Sequence, residues 1–160
     1  MPRLVVVLPL QPLGIGERFA VHHWPLHITV LAPFLTDAPP ERIAAAIEQA
    51  TASQKAFTAV AGHDELFGRR HNVPVTVIED NDDITALHET LSEVVQPFAA
   101  VPEEAAFTGK GFRAHVTVKR HDRVHAGDVM MLRQIALVDM SPRTDPGGRS
   151  VLATRILPAD

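Results

Sequence analysis

The sequence predicts an α+β fold made of two similar halves. Two His-x-Thr motifs support this prediction: His27–Val30 (HITV) and His115–Val118 (HVTV) each lie in an apolar run rich in β-branched residues. Such runs favour strands, because branched side chains fit a pleated surface. Each half also contains one segment whose apolar residues recur at helical spacing. One helix and one histidine strand in each half indicate a diverged duplication within a single domain.

The first half begins with a near-continuous apolar run at 4–10, which predicts a buried central strand. A connection containing glycines and a proline follows, with a helical turn expected at 17–21. The first histidine strand should end at Pro33. Asp37, just before two prolines, predicts the start of a helix at 41–53 whose apolar residues share one side.

The rest of the chain predicts strands on both sides of a charged turn at 67–71, then a second helix that Asp82 or Asp83 should cap. The second histidine strand follows a glycine-rich turn at 109–111, and a loop at 142–148 precedes the last strand. All strands expected from the sequence span 4–10, 26–31, 57–60, 72–79, 114–118, 130–138 and 150–157.

The composition is that of an ordinary globular protein with one domain: 160 residues, of which 46% are apolar and 21% charged. With no cysteine, the chain has no disulfide, no thiolate nucleophile and no cysteine metal site. This composition is compatible with the cytoplasm, where we expect the protein. The apolar run at the start is too short for a signal peptide, and we expect no membrane association.

The net charge of −4 is unevenly distributed, since the segment 107–125 carries +4 and the remainder −8. An acidic protein is poorly suited to binding long nucleic acid, whose affinity comes from many phosphate contacts. A local basic patch suits a small anion better, and a solvated basic edge strand is the alternative.

The two motifs place four polar side chains where one ligand can contact them. Residues two apart on a strand point to the same side, so His27 shares a face with Thr29, and His115 with Thr117. If the two strands are neighbours, two imidazoles and two hydroxyls surround one small space. Arg113 has the same parity and should face this space. For either motif alone, a half-buried structural histidine is the alternative.

Two histidines around a phosphate ester suit general acid–base catalysis. Because the pKa of histidine lies near neutrality, one imidazole can act as the base while the other, protonated, acts as the acid. The hydroxyls of Thr29 and Thr117 can donate to the non-bridging phosphate oxygens. The sequence leaves open which histidine has which role.

The segments Pro25–Val30 (PLHITV) and Arg113–Val118 (RAHVTV) together resemble the paired signatures of the 2H phosphoesterase superfamily. That superfamily includes bacterial 2'-5' RNA ligase-like proteins and cyclic nucleotide phosphodiesterases. The spacing of the motifs, Pro33-Phe34 after the first and the basic residues around the second extend the resemblance to nearly the whole chain. Because the chain has no tyrosine, stacking on a base would require a phenylalanine or Trp24.

The resemblance implies a bilobal fold of two pseudo-symmetric halves, in which two mainly antiparallel sheets line a central groove and the helices pack outside. It also implies a reaction without a metal or cofactor. From their parity and chemistry we expect His27 and His115 to be catalytic and Thr29, Thr117 and Arg113 to bind the substrate. We expect a monomer that hydrolyses a 2',3'-cyclic phosphate or 2'-linked phosphodiester of a nucleotide or short oligonucleotide.

Three alternatives remain from the sequence: a 2'-5' RNA ligase or RNA-end processing enzyme, a metal-dependent hydrolase, and a nucleotide-binding module without activity. A metal site would use His63–Glu65, but neighbouring residues on a strand point to opposite sides and cannot readily share an ion. His71, with the arginines before it, belongs either to a lid or to a plain charged hairpin. His88 lies near the buried side of the second helix, a position that indicates a structural role. His22 is expected in a solvated loop.

Overall fold

The computed structural model describes residues 2–101, 111–140 and 148–159. Within them the chain forms ten strands, two helices and a short 3₁₀ turn at Val21–His23. The helices are α1 (Pro40–Ala50) and α2 (Asp82–Val95). The strands are β1 (Arg3–Pro9), β2 (Arg18–Phe19), β3 (His27–Thr36), β4 (Phe57–Phe67), β5 (Val73–Ile78), β6 (Ala99–Val101), β7 (His115–Thr117), β8 (Val129–Leu132), β9 (Gln134–Asp139) and β10 (Arg149–Ile156).

The strands form one path in the order β2-β10-β9-β1-β3-β7-β5-β4-β8, with β6 paired to β3. Every strand pairing in the described residues is antiparallel. The two histidine strands, β3 and β7, are neighbours at the middle of this path. The predicted α+β fold with mainly antiparallel strands is confirmed, and the β3–β7 pair lies at the middle of its strand path.

The sheet curls so that its ends approach each other. β8 lies at one end of the path and β9 near the other, yet only Arg133 separates them in the chain. One residue spans less than about 7 Å, so the two strands must lie close together. The amide of Leu157 donates to the carbonyl of Arg133 at 2.7 Å, which ties the end of β10 to this crossing.

The two faces of the sheet are covered differently. Both helices pack on one face, where Ile43 of α1 and Leu91 of α2 join a core that includes Ile28 and Val116. On the other face a smaller apolar cluster covers β1, β9 and β10, with Trp24 as its largest member. The face opposite the helices is therefore the one that can carry an open site. Neither helix of the described residues is long and apolar enough to cross a membrane.

β3 runs through Pro33 to Thr36, so the prediction that it ends at Pro33 is wrong. Leu4 pairs with Phe34 and Val6 with Leu31, which leaves a bulge where Pro33 lies. Because a bulge interrupts the ladder, the missing N–H of proline is tolerated there.

The predicted helix starts also need correction. Asn81, rather than Asp82 or Asp83, caps α2: its side-chain oxygen accepts from the amide of Ile84 at 3.0 Å. α1 begins at Pro40 without a side-chain cap, so Asp37 does not provide one. Proline at the first helical position needs no partner for an N–H and already has a helical φ.

Three predicted segments have different structures. The run at 130–138 forms two strands, β8 and β9, because the chain crosses between sheet ends at Arg133. The expected turn at 17–21 contains β2 instead, and the 3₁₀ turn follows it. β4 continues to Phe67, well beyond residue 60. Of the two predicted loops, residues 109–110 and 142–147 lie outside the described residues.

Candidate active site

The register of β3 and β7 brings both motifs to one place. Ile28 pairs with Val116, and both are buried against the helices. Antiparallel pairing then places His27 opposite Thr117 and Thr29 opposite His115, all on the open face. The two histidines are diagonal neighbours, whose Cα atoms lie about 7–8 Å apart in this geometry. The prediction that the two histidine strands lie side by side is confirmed.

Each histidine uses its Nδ1 to bond the backbone two residues before it. Nδ1 of His27 lies 2.8 Å from the carbonyl oxygen of Pro25, and Nδ1 of His115 lies 2.8 Å from that of Arg113. A carbonyl only accepts, so Nδ1 carries the proton in each ring. Nε2 is therefore the atom that remains for a substrate, and it carries a lone pair when the ring is neutral.

An aromatic ring supports each imidazole, and a guanidinium lies against each aromatic ring. His27 stacks on Trp24 with ring centroids 3.9 Å apart, and the guanidinium carbon of Arg149 lies 5.3 Å from the Trp24 ring. His115 contacts Phe67 edge-on, with ring centroids 4.7 Å apart. The guanidinium carbon of Arg113 lies 5.1 Å from the centroid of the Phe67 ring. These contacts restrict the orientation of both imidazoles.

Burial favours the neutral form of both imidazoles. Burial, as the largest cause, and the electrostatic effects of Lys119, His115 and Arg149 together lower the pKa of His27 to about 4, against the opposing effect of the hydrogen bond to the Pro25 carbonyl. The pKa of His115 is also lowered, first by burial and then by the charge of Arg113. A bound phosphate has the opposite effect, because a negative charge favours the protonated ring.

Arg113 lies beside the site, as predicted, but its charge is neutralised. Its two terminal nitrogens donate to the two carboxylate oxygens of Glu65, with Nη1 2.9 Å from Oε1. Glu65 also accepts from His63 at 2.8 Å. These hydrogen bonds, with Arg113 first, lower the pKa of Glu65 to about 2. Arg113 is thus held in a bidentate ion pair, and its role in binding substrate stays a prediction.

A pocket of about 260 Å³ opens next to His115. Thr29 and Arg113 line it together with apolar side chains, chiefly Phe67, Phe112 and Val75. This apolar, aromatic lining suits a flat and largely apolar part of a ligand whose polar part lies between the two histidines.

Trp24 is too buried to stack on a base of the substrate. It is only 8% exposed and packs in the smaller apolar cluster with one face on His27. Phe67 and Phe112, which line the pocket, are aromatic rings that lie beside the candidate site. Sequence reasoning missed the role of Trp24 because the loop that carries it folds back over the sheet, which no local pattern reveals.

Lys119 is a second residue that the motif analysis left aside. It is half-buried, and its charge acts on His27. Burial and the nearby Arg149 lower the pKa of its ammonium group. The signal in the sequence was its place in the basic segment, directly after the second His-x-Thr motif.

The other candidate histidines lie elsewhere. His88 is buried, bonds the carbonyl oxygen of Val30 through Nδ1 at 2.8 Å, and stacks on Phe112 at 3.9 Å, which agrees with a structural role. Asp64 bonds Thr76 and Arg123, whereas its neighbour Glu65 bonds Arg113. Among the residues that the structure describes, no three His, Asp or Glu side chains converge as metal ligands would.

A sequence model of the 2'-5' RNA ligase superfamily matches residues 16–134, a range that contains both motifs. The chain belongs to the 2'-5' RNA ligase superfamily. The predicted resemblance to the 2H phosphoesterases is thus confirmed. No curated protein matches this superfamily member significantly in sequence.

Several solved structures share the fold of this chain. A crystal structure described as a phosphoesterase superposes with a TM-score of 0.63 at 16% identity and covers 99% of both chains. E. coli LigT complexed with 3'-AMP superposes with a TM-score of 0.61 at 16% identity, and the match covers 98% of this chain and 99% of LigT. LigT complexed with phosphate superposes with a TM-score of 0.61 at 15% identity, and the match covers 98% of both chains.

Proposed function

We propose that the chain is a metal-independent phosphodiesterase that hydrolyses a 2',3'-cyclic phosphate, or another 2'-linked phosphodiester, of a nucleotide or short oligonucleotide. The pairing of Ile28 with Val116 carries this proposal, because it gathers two histidines and two threonines on one open face. Both Nδ1 atoms are occupied by carbonyls, so both Nε2 atoms are available to the phosphate and its attacking or leaving oxygen.

The reaction with a 2',3'-cyclic phosphate balances with these groups alone. One neutral imidazole takes a proton from water as the water oxygen forms a bond to phosphorus. The bond from phosphorus to a ribose oxygen breaks, and the protonated imidazole gives its Nε2 proton to that oxygen. The hydroxyls of Thr29 and Thr117 donate to the non-bridging oxygens, whose negative charge grows in the transition state. The product is a nucleoside monophosphate.

His27 acts as the base and His115 as the acid. The pKa of His27 is lowered to about 4 by burial and by surrounding cations, so its ring stays neutral at pH 7 beside a bound anion. The pKa of His115 is also lowered, by burial and by the charge of Arg113, but that Arg113 guanidinium is paired with Glu65. A bound phosphate therefore favours protonation of His115 over protonation of His27, and a general acid must be protonated before the reaction.

The pocket beside His115 supports a nucleotide as the substrate. The rings of Phe67 and Phe112 can stack on a base, and such stacking is worth about 1–3 kcal/mol per base. E. coli LigT, similar in fold, has been crystallised with 3'-AMP and with phosphate. A 3'-nucleotide is a product expected from opening a 2',3'-cyclic phosphate at its 2' oxygen.

A 2'-5' RNA ligase is the second candidate. The superfamily to which the chain belongs is described by that activity. In ligation an RNA 5'-hydroxyl replaces water as the attacking group, and the same two imidazoles exchange the protons. The acidic remainder of the chain favours the smaller substrate, because it repels a long RNA outside the groove.

The test is a product-resolved assay of nucleoside 2',3'-cyclic phosphates, 2'-5'-linked dinucleotides, and RNAs with 2',3'-cyclic phosphate and 5'-hydroxyl ends, each with and without excess EDTA. We expect hydrolysis of the small substrates at unchanged rate in EDTA. A loss of activity with EDTA that zinc or magnesium restores would contradict the metal-independent reaction. Joined RNA as the dominant product would place the ligase first.

A further inference from the structure

The two ends of the groove differ in charge. On the His115 side, Glu65 neutralises Arg113 through a bidentate ion pair beside the apolar pocket. On the His27 side, Lys119 and Arg149 both act on the His27 ring, and the guanidinium carbon of Arg149 lies 5.3 Å from the Trp24 ring that stacks on this histidine. A ligand that lies across both histidines therefore meets a neutral, apolar environment at one end and a positive one at the other.

Lys119 is the group that makes the second end positive. Its backbone amide bonds the carbonyl oxygen of Asp122 at 2.9 Å, so no carboxylate is involved in that contact. Within the ranges that the structure describes, no carboxylate pairs with its ammonium group, and Arg149 lies near enough to act on its pKa. A half-buried ammonium group without a counterion is unfavourable, and a bound anion removes that cost.

Lys119 lies beyond the residues that would hold the reacting phosphate. The centre of the site is the pairing of Ile28 with Val116, and Thr117 is adjacent to it. Lys119 lies two residues beyond Thr117, where β7 ends, so its Cα lies within roughly 10 Å of that of Val116. The hydrogen bond from the amide of Val118 to the carbonyl oxygen of Pro74 at 3.0 Å continues the pairing in this direction.

We propose that Lys119 forms a second anion subsite beside His27, which binds a phosphate of the substrate other than the one that is hydrolysed. This inference rests on the proposed function and narrows its substrate to a nucleotide that carries two phosphate groups. The base lies in the phenylalanine pocket near His115, the cyclic phosphate lies between the histidines, and the second phosphate, such as a 5'-phosphate, reaches Lys119.

The test compares two ligands that differ by one phosphate, adenosine 3'-monophosphate and adenosine 3',5'-bisphosphate. Their dissociation constants are measured by calorimetry for the wild type and for Lys119→Gln, Lys119→Arg and Lys55→Gln. Lys55→Gln is the matched control, since Lys55 is an exposed lysine that does not line the groove. Thermal unfolding of each variant confirms that it is folded.

We expect the wild type and Lys55→Gln to bind the bisphosphate about 10-fold to 100-fold more tightly, the range for a hydrogen bond to a charged group. Lys119→Gln should bind the two ligands nearly equally, and Lys119→Arg should retain most of the preference. An equal loss for both ligands in Lys119→Gln would overturn the proposal, because Lys119 would then contact the reacting phosphate. An unchanged preference would overturn it as well.

This test is independent of catalysis. If the wild type hydrolyses no cyclic phosphate, yet its preference for the bisphosphate depends on Lys119, the proposed function fails and the subsite stands. If cyclic phosphates are hydrolysed but the preference is absent, the subsite alone is wrong.

Discussion

Trp24 stacks on His27 with their ring centroids 3.9 Å apart and an angle of 27° between the ring planes. The carbonyl oxygen of Pro25, the next residue in the chain, accepts a hydrogen bond from Nδ1 of the same histidine at 2.8 Å. The ring is therefore fixed by a contact on its face and by a hydrogen bond at its edge. This arrangement makes Trp24 a positioning residue for His27.

We expect Trp24→Leu to lower kcat by about 10-fold with little change in KM. The substitution retains apolar volume but removes a stacked pair worth about 0.5–1.5 kcal/mol, so the imidazole loses its fixed orientation. An NMR titration should also show the pKa of His27 rising from about 4 toward its ordinary value, as burial of the ring decreases. Trp24→Phe keeps an aromatic face and should be milder. A Trp24→Leu variant with lower stability but unchanged kcat and unchanged His27 titration would contradict the positioning role.

The low pKa of His27 predicts how stability depends on pH. The unfolded chain binds a proton at His27 near pH 6.5, whereas the folded protein binds it only near pH 4. Stability therefore rises with pH between these values: the contribution of neutral His27 is complete above about pH 6.5 and is lost as the pH falls to 4. The loss amounts to about 3 kcal/mol between pH 7 and pH 4.

Urea unfolding of the wild type and of His27→Gln at pH 7 and at pH 4 measures this contribution. The free energy of unfolding of His27→Gln should fall less between the two pH values, by about 3 kcal/mol. Parallel pH dependence in the two proteins would show that His27 has an ordinary pKa in the folded state.

Glu65 controls the charge beside the pocket. We expect Glu65→Gln to bind 3'-AMP about 3-fold to 10-fold more tightly at low salt, because Arg113 then keeps its full charge next to His115. Added salt should reduce this gain. Asp64→Asn is a matched control on the next residue of β4, where the carboxylate pairs with Arg123 instead. Calorimetric affinities that change equally in the two variants would indicate a general charge effect and contradict a specific role of Glu65.

The strands that carry the two motifs, and the shared face of the residues in each motif, could be predicted from the sequence. His27 with Thr29, and His115 with Thr117, share a face because alternation along a strand follows from backbone geometry alone. The stack of Trp24 on His27 and the ion pair of Glu65 with Arg113 were not predicted, because each joins segments whose relative position depends on the whole fold. Residues 65 and 113 lie 48 positions apart in the chain.

The errors in the elements have the same origin. The apolar run that ends near Val138 looks continuous in the sequence, but curling of the sheet divides it at Arg133. Pro33 would end an isolated strand, whereas β1 tolerates it at a bulge. For α2, the cap is Asn81 rather than either of the two predicted aspartates, and its side-chain nitrogen also donates to the carbonyl oxygen of Thr58 at 2.9 Å.

The measurement that most directly tests the proposed pairing of His27 and His115 is the rate of 2',3'-cyclic phosphate hydrolysis by the two single alanine variants and the double variant. Each single substitution should lower kcat by about 10²–10⁴-fold, because each removes one proton-transfer group. The double variant should be little slower than the worse single variant, since groups that act as a unit are strongly non-additive. His22→Ala, which alters an exposed histidine outside the motifs, is the control and should retain wild-type kcat. Near-wild-type activity in either single variant, or losses that multiply in the double variant, would contradict the shared action of His27 and His115 on one phosphate.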